Sequence, residues 1–347
     1  MTTPSICLLP KLTGTGGPSS FQAKLTKGLK KKGINVTYDP HDPSTSAVLI
    51  TGGTRQFDDL VYAKSNGIRI IQRLDGMNWL HKKKMTGIKH FLRSERMNLQ
   101  LSFTRRMFAD AVVYQSNFTR DWWHKVYGSL QTPHTVIHNG VDLNTFSPSP
   151  ENSVPLDTIR ILVVEGSFKG GHERDLLNAV ELANHLPDII GKPIELLIAG
   201  SLPQSMKKII KTHPSVKINW LGIVPHNEIP ELDRSAHIIF PAEINAACPN
   251  SLIEALGCGL PAASYSTGSL PELIGDDGGI VVPYGSDHWS LKPPNVGPLV
   301  QAVKKIINDL PAYRKATRNR AEEHFNVDIM VEKYSHILFD DLSTFPT

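Results

Sequence analysis

Residues 238–265 read IIFPAEINAACPNSLIEALGCGLPAASY. The apolar run Ile238–Phe240 leads through a proline-containing loop into a short apolar helix, for which Asn250 or Ser251 is a natural N-cap. A second apolar run, Ala262–Tyr265, follows. A strand, a helix and a strand in this order are typical of a parallel sheet, because parallel neighbours need a crossover connection. Ligands of such sheets bind beyond the carboxyl ends of the strands, so the loop before the helix is a predicted binding loop.

The same alternation continues in both directions along the chain. Further apolar runs predict buried strands at Ile6–Leu9, Ala47–Ile50, Ile68–Ile71, Ala111–Tyr114, Thr135–Ile137, Ile159–Val164, Ile194–Ala199, Ile218–Leu221 and Ile280–Val282. Residues 143–158 interrupt them with a segment rich in Pro, Ser and Asn, which is typical of a linker. We therefore predict an α/β protein with two Rossmann-like, doubly wound domains facing a central cleft, over residues 1–145 and 155–325. A C-terminal helix within 326–347 is expected to pack back towards the first domain.

Composition places the chain among ordinary globular proteins. It has 347 residues, 40% hydrophobic and 20% charged, which suits two domains. No apolar run approaches the roughly 18 residues needed to span a bilayer, and the N-terminus lacks the basic start and cleavage site of a secretory signal. The three cysteines form no CxxC pair. We expect a cytoplasmic protein, or one peripheral to the inner face of a membrane.

Charge is distributed unevenly. Residues 1–150 hold 20 Lys and Arg against 9 Asp and Glu, although the whole chain has a net charge of only +4. The basic residues are clustered at Lys24, Lys27, Lys30–Lys32, Lys82–Lys84, Lys89, Arg93, Arg96, Arg105 and Arg106. Such clusters suit an anionic membrane surface or a polyanionic acceptor, or they are merely a solvated helix face. Nucleic acid is disfavoured, because aromatic residues are not interleaved with the clusters.

Four loops after predicted strands are candidates for chemistry. The turn Gly14–Ser20 contains Gly16 and Gly17 and is either a tight turn, a phosphate loop or, less well matched, a dinucleotide site. In the loop and helix of 241–261, the Glu254 carboxylate can bond back to the helix start or reach ligand hydroxyls. The other two loops are Glu165–Gly171, with Lys169 as a cation for a diphosphate, and Ser264–Leu273, with the amides of Gly268 and Ser269.

The segments CPNSLIEALGCGLPAA (Cys248–Ala263), TGSLPELI (Thr267–Ile274) and GGIVVPYG (Gly278–Gly285) resemble the C-terminal domain of the retaining GT-B glycosyltransferases of family four. VIHNGVDLNTFSP (Val136–Pro148) and GTGGPSS (from Gly14) are similar to the segment before the hinge and to the first glycine-rich loop of that family. The resemblance implies the GT-B fold.

The resemblance also implies site roles. Glu254 matches the second acid of the Glu-x7-Glu motif, which holds the ribose, and Lys169 matches the lysine of a phosphate-binding Arg and Lys pair. Backbone amides near Cys248, Asn250 and Ser251, together with Gly268 and Ser269, would face the diphosphate and the donor sugar. Gly16 and Gly17 would join them from the first domain.

Two positions depart from the family pattern. The first motif acid is replaced by Ala246, so Glu243 or Asn245 would have to substitute for it. The expected arginine is absent, because the chain reads Glu165-Gly166-Ser167 there, and Arg73 is the nearest replacement. Asp75 stands close to the place where the family often has a histidine.

The expected activity is transfer of a sugar from a UDP- or GDP-linked donor to a glycan or lipid-linked acceptor. Retention of configuration is expected, with no metal and no cofactor. Two alternatives remain: a catalytically silent nucleotide-sugar binding protein, and a sugar-nucleotide epimerase.

Overall fold

The computed structural model describes residues 4–14, 16–149 and 154–339, and the chain divides into two compact units. Unit 1 comprises Met1–His81, Gly87–Gly140 and Val327–Thr347, and unit 2 comprises Lys82–Thr86 and Val141–Asn326. The chain therefore passes into unit 2 between Gly140 and Val141, ahead of the predicted linker. Residues 150–153 of that linker and 340–347 of the predicted C-terminal segment lie outside the described residues.

Unit 1 is a six-stranded parallel sheet with the strand order β2-β1-β3-β4-β5-β6. Its elements are β1 (Ser5–Leu9), α1 (Gly17–Lys31), β2 (Asn35–Thr37), β3 (Thr45–Thr51), α2 (Phe57–Ser65), β4 (Arg69–Leu74), α3 (Ile88–Met107), β5 (Ala111–Tyr114), α4 (Asn117–Tyr127) and β6 (His134–Val136).

Both faces of this sheet are covered, because side chains alternate along each strand. Ile6 and Leu8 of β1 belong to one apolar cluster, whereas Cys7 and Leu9 belong to another. The first cluster also contains residues of α1 and of the last helix of the chain, and the second contains residues of α2. This explains why the strands are continuous apolar runs in the sequence.

Unit 2 is a second six-stranded parallel sheet, with the strand order β12-β11-β10-β7-β8-β9. Its elements are β7 (Ile159–Ser167), α5 (Glu173–His185), α6 (Pro187–Ile190), β8 (Ile194–Ser201), α7 (Gln204–Ile209), β9 (Val216–Gly222), α8 (Ile229–Ser235), β10 (Ile238–Ile239), α9 (Asn250–Gly257), β11 (Ala262–Tyr265), α10 (Leu270–Ile274), β12 (Gly279–Val282), α11 (Val296–Asn308) and α12 (Leu310–His324). The last helix, α13 (Val327–Phe339), returns to unit 1.

Helix α12 stabilises the ends of two shorter helices. Arg318 Nη1 donates to the carbonyl of Gly257 at 2.6 Å, and Arg320 Nε donates to the carbonyl of Leu273 at 2.7 Å. The final carbonyls of a helix have no partner within the helix, so a guanidinium there satisfies them and complements the helix dipole. Helices α9 and α10 are thus held at their carboxyl ends.

The predicted α/β class with two parallel sheets is confirmed, and all the predicted apolar runs are strands. Strand β2 was not predicted. Strand β7 continues through Glu165–Ser167, which had been expected to form a loop, because Ser167 pairs with Ser201 of β8 after a register shift. The C-terminal helix that was expected within 326–347 is present as α13.

Within 4–14, 16–149 and 154–339, no helix has the length and apolar composition needed to cross a membrane.

Candidate active site

Three loops meet at the carboxyl edge of the unit 2 sheet, where β11, β10 and β7 are neighbours. Glu165 Oε1, near the end of β7, accepts hydrogen bonds from the amides of Ala242 (3.2 Å) and Glu243 (3.1 Å), which follow β10. The amide of Ser269, after β11, donates to the carbonyl of Ala246 at 2.9 Å. The loop of residues 241–249 is therefore joined to the strand ends on both of its sides.

Gly268 allows this close approach. Its φ is +57°, and a Cβ atom at this position would lie 2.6 Å from the carbonyl oxygen of Ala246. Only glycine both adopts this φ readily and leaves room for the carbonyl oxygen of Ala246 without displacing backbone atoms. The Ser269 amide was expected to face a ligand, but here it bonds to Ala246 instead.

Buried polar atoms without protein partners lie at the junction of these loops. Asn245 is only 3% exposed, and within the described residues neither its Oδ1 nor its Nδ2 has a hydrogen-bond partner. The same holds for Oγ of Ser269. Leaving such an atom unsatisfied costs about 1–3 kcal/mol, so it is typical of a site that receives a polar ligand or water.

Helix α9 begins beside this junction. Its N-cap is Pro249, so the prediction that Asn250 or Ser251 caps it was wrong. No side chain of the described residues caps this end. Asn250 and Ser251 are partly exposed, whereas Cys248 is buried. The free amides of a helix start attract anions.

Glu254 lies one turn into α9 and is almost fully buried. Its Oε1 is 3.0 Å from Nε2 of His226, whose ring contacts Phe146 at 5.4 Å between centroids. His226 is thus a hydrogen-bond partner of this carboxylate, which the sequence did not predict because the two residues are 28 positions apart.

A second set of titratable groups adjoins the loop. Removal from water raises the pKa of Glu165, and the charges of Glu243 and Asp175 raise it further. Burial also raises the pKa of Glu243. Burial opposes the charged form of His172, but the hydrogen bond to Asp175 (Nδ1–Oδ2, 2.8 Å) and the nearby carboxylates raise its pKa to about 9. The cluster thus holds protons at neutral pH.

Two lysines lie at the turn between β7 and α5. Lys169 is exposed, and its amide donates to Oγ of Ser167 at 3.2 Å. Lys84 reaches the same turn within unit 2, where its Nζ donates to the carbonyl of Gly171 (2.9 Å) and to Oε2 of Glu173 (2.8 Å). The sequence did not predict that Lys84 lies at this turn, because Lys84 and Gly171 are 87 residues apart in the chain.

The other predicted site residues lie in unit 1. Arg73 is buried, donates to Asp75 (2.7 Å) and Asn139 (2.8 Å), and stacks on Phe21 with 3.8 Å to the ring centroid. These contacts favour a structural role for its charge. Asp75 is about one-third exposed and also accepts from Gln115.

Gly16 and Gly17 are exposed at the start of α1, where Gly16 is the N-cap. The structure therefore brings together Glu243, Asn245, Gly268 and Ser269 around the start of α9 at Asn250. It leaves Gly16, Gly17, Arg73 and Asp75 in the other unit.

Comparisons with known proteins identify a related family model and related sequences. Residues 168–324 match the family model described as "Glycosyl transferases group 1". A phosphatidylinositol N-acetylglucosaminyltransferase subunit from Arabidopsis thaliana is 26% identical over 59% of this chain and 43% of its own length. The chain thus spans less than half the length of this curated relative.

Solved structures share the fold over nearly the whole chain. Sucrose-phosphate synthase from Thermosynechococcus elongatus has a TM-score of 0.71 at 14% identity, with 97% of this chain and 98% of that chain covered. Alr3699/HepE of Anabaena, solved with UDP and glucose, has a TM-score of 0.64 at 16% identity, with 96% and 99% covered. The segment 168–324 is thus similar to the group 1 glycosyltransferases, and the chain has the GT-B fold.

Proposed function

We propose that this protein transfers a sugar from a nucleoside-diphosphate sugar to a glycan or lipid-linked acceptor, with retention of configuration. A UDP-linked donor is favoured over a GDP-linked one. HepE, which shares the fold, was solved with UDP and glucose, and the Arabidopsis relative is named for the transfer of N-acetylglucosamine.

One observation carries this proposal. In the part of the chain that the structure describes, no side chain caps the start of α9, and the buried side-chain atoms of Asn245 and Ser269 on the adjoining loops have no hydrogen-bond partner. A diphosphate accepts hydrogen bonds from helix amides, whereas a sugar both donates and accepts them. A nucleotide sugar therefore supplies partners for both kinds of group.

The chemistry follows from charge. As the glycosidic bond breaks, negative charge accumulates on the leaving diphosphate. The amides of α9 and the Lys169 ammonium would stabilise this charge without having to reorganise, so the site favours the transition state over the bound substrate. Glu254, oriented by His226, would hold the ribose hydroxyls. We propose that no metal is needed for this step.

The decisive substitution is Glu254→Ala. We expect turnover of the nucleotide sugar to fall at least about tenfold, which corresponds to about 1.4 kcal/mol of transition-state stabilisation. Glu231→Ala, on the exposed face of α8, is the matched control and should leave turnover unchanged. Near-normal turnover in a folded Glu254→Ala variant would remove Glu254 from the site.

Ala246, at the position of the first motif acid, favours the catalytically silent binding protein as the second candidate. Thermal unfolding with UDP, GDP, ADP and their sugars measures binding to the native state directly. Stabilisation by a nucleotide sugar without transfer to any acceptor in a broad panel would support the silent binder. Conversion of the donor in the absence of acceptor would identify an epimerase.

A further inference from the structure

Helix α3 turns a polar face towards the core of unit 1. Ser94, Asn98, Ser102 and Arg105 are all buried. Asn98 Nδ2 donates to the carbonyl of Asn78 at 2.8 Å, and Arg105 Nη2 donates to the carbonyl of Gly128 at 2.6 Å. A surface helix normally buries its apolar stripe, so the amphipathic pattern of α3 is inverted.

The outer face of α3 carries the apolar residues. At about 100° per residue, Ile88, Leu92, Leu99 and Phe103 lie within an arc of about 60°. Their exposed fractions are 76%, 61%, 60% and 48%. A single exposed apolar side chain needs no explanation, but a continuous row marks an interaction surface.

Positive charge flanks this row. Lys89, Arg93 and Arg96 are exposed on the same side of α3, and within the described part of the chain no ion pair involves them. The acid on this stretch, Glu95, is bonded to His81 at 2.6 Å. The outer face of α3 therefore presents an apolar row beside an unneutralised basic row.

We propose that the outer face of α3 binds the surface of an anionic lipid bilayer, with the helix lying in the plane of the interface. The 20-residue helix is about 30 Å long, and apolar side chains flanked by lysine and arginine suit the boundary between acyl chains and anionic headgroups. The surface lies in unit 1, and the proposal does not depend on the proposed activity.

Charge complementarity selects lipid over a second copy of this chain. A symmetric contact through this face would place Lys89, Arg93 and Arg96 near the same residues of the other copy, and like charges repel. Helix α1 provides a contrast: it also carries lysines, but none of its residues is an exposed large hydrophobic. Charge alone therefore does not distinguish α3; the apolar row does.

The test is sedimentation of the full chain with vesicles of phosphatidylcholine, with and without about 30% phosphatidylglycerol, at about 50 mM and 500 mM salt. The wild type should bind the anionic vesicles at low salt and bind them more weakly at high salt. Leu92→Ser with Leu99→Ser should lower partitioning at least about tenfold, and Arg93→Ser with Arg96→Ser should lower it similarly at low salt. The control, Lys30→Ser with Lys31→Ser on α1, should change it less than about twofold.

Three results would overturn the proposal. These are no binding of the wild type to anionic vesicles at low salt, equal binding of the Leu92 and Leu99 variant, and an equal loss in the α1 control. Circular dichroism and thermal unfolding should show that each variant is folded. Sedimentation velocity without lipid tests the alternative, a second copy of this chain. If the wild type does not bind vesicles but forms a dimer that the leucine substitutions abolish, the surface is a contact between two copies.

Discussion

Asn245 combines two unfavourable features at a single position. Its φ of +61° lies in the left-handed region, which costs a residue with a side chain about 1–2 kcal/mol, and its amide is buried without a protein partner within the described residues. Asparagine tolerates this conformation better than most residues, but glycine tolerates it at no steric cost. Strain of this kind persists where it serves a function. We infer that the Asn245 amide contacts the donor sugar in place of the missing acid at Ala246.

Asn245→Gly separates function from stability. The substitution relieves the strain and removes the unsatisfied amide, so the free energy of unfolding should stay the same or increase, while turnover should fall about tenfold. The matched control is Leu291→Gly, because Leu291 also has a positive φ, +54°, outside the three loops. It should leave turnover unchanged. Full activity of Asn245→Gly would show that the amide does not touch the donor.

His172 predicts how stability depends on pH. Its folded pKa of about 9 lies above the ordinary value of 6.5, so the folded state holds a proton that the unfolded state loses between these values. The stabilisation is complete below about pH 6.5 and is lost as the pH rises through 9. The raised pKa of Glu165 acts in the same direction, because its carboxyl also ionises less readily when folded.

We therefore expect the free energy of unfolding, measured with urea, to fall between pH 6 and pH 9. His172→Gln should flatten this dependence, since glutamine can bond to Asp175 but cannot titrate. His185→Gln, at the exposed end of α5, is the control and should keep the wild-type slope. An unchanged slope in His172→Gln would show that other groups carry the effect.

At the scale of elements, the substitution Gly268→Ala tests whether the close contact between Gly268 and Ala246 positions the loop of residues 241–249. Gly268→Ala adds a Cβ 2.6 Å from the carbonyl oxygen of Ala246, whereas Gly222→Ala, at a similar φ of +70°, meets no atom within 4 Å. Both pay the conformational cost of about 1–2 kcal/mol, but only Gly268→Ala must also displace the loop of residues 241–249. We expect Gly268→Ala to weaken UDP binding at least about tenfold, measured by calorimetry. Equal effects of the two variants would mean that the loop does not depend on this contact.

The sequence predicts the elements well where burial dictates the pattern. Strands such as β3 and β8 are buried on both faces and read as apolar runs. Strand β2 was missed because it is a three-residue edge strand without a buried residue. The end of β7 was missed because Glu165-Gly166-Ser167 has turn composition, and only its pairing with β8 extends it.

The site was predicted only in part, for a similar reason. Asn245, Gly268 and Ser269 could be predicted as site residues because they lie in loops that follow strands, and the apolar runs of the sequence reveal where those strands end. The contacts of Glu165 with Ala242 and of Glu254 with His226 join residues far apart in the chain, and no local pattern encodes them. Lys84 is a further case, since only the folded chain places it beside Gly171.

At the scale of the whole molecule, the last described helix belongs to the same unit as the first described strand. Helix α13 supplies Met330, Val331, Tyr334, Ile337 and Leu338 to the apolar cluster of β1 and β3. Gly28 of α1 lies so close to Val331 that a Cβ there would be 2.3 Å from its side chain. The apolar cluster of unit 1 is therefore complete only with α13, which follows unit 2 in the sequence.

This topology predicts that a substitution near the C-terminus weakens the N-terminal sheet. Ile337 of α13 and Ile306 of α11 are both fully buried, the first in unit 1 and the second in unit 2. Each change to alanine should cost about 2–5 kcal/mol through lost contacts and a cavity. By hydrogen exchange, Ile337→Ala should lower amide protection in β1 and β3, more than 280 residues earlier in the chain, and leave β11 and β12 protected. Ile306→Ala should do the reverse. Loss of protection confined to the sheet of unit 2 in Ile337→Ala would contradict the assignment of α13 to unit 1, since its side chains would then support the other core.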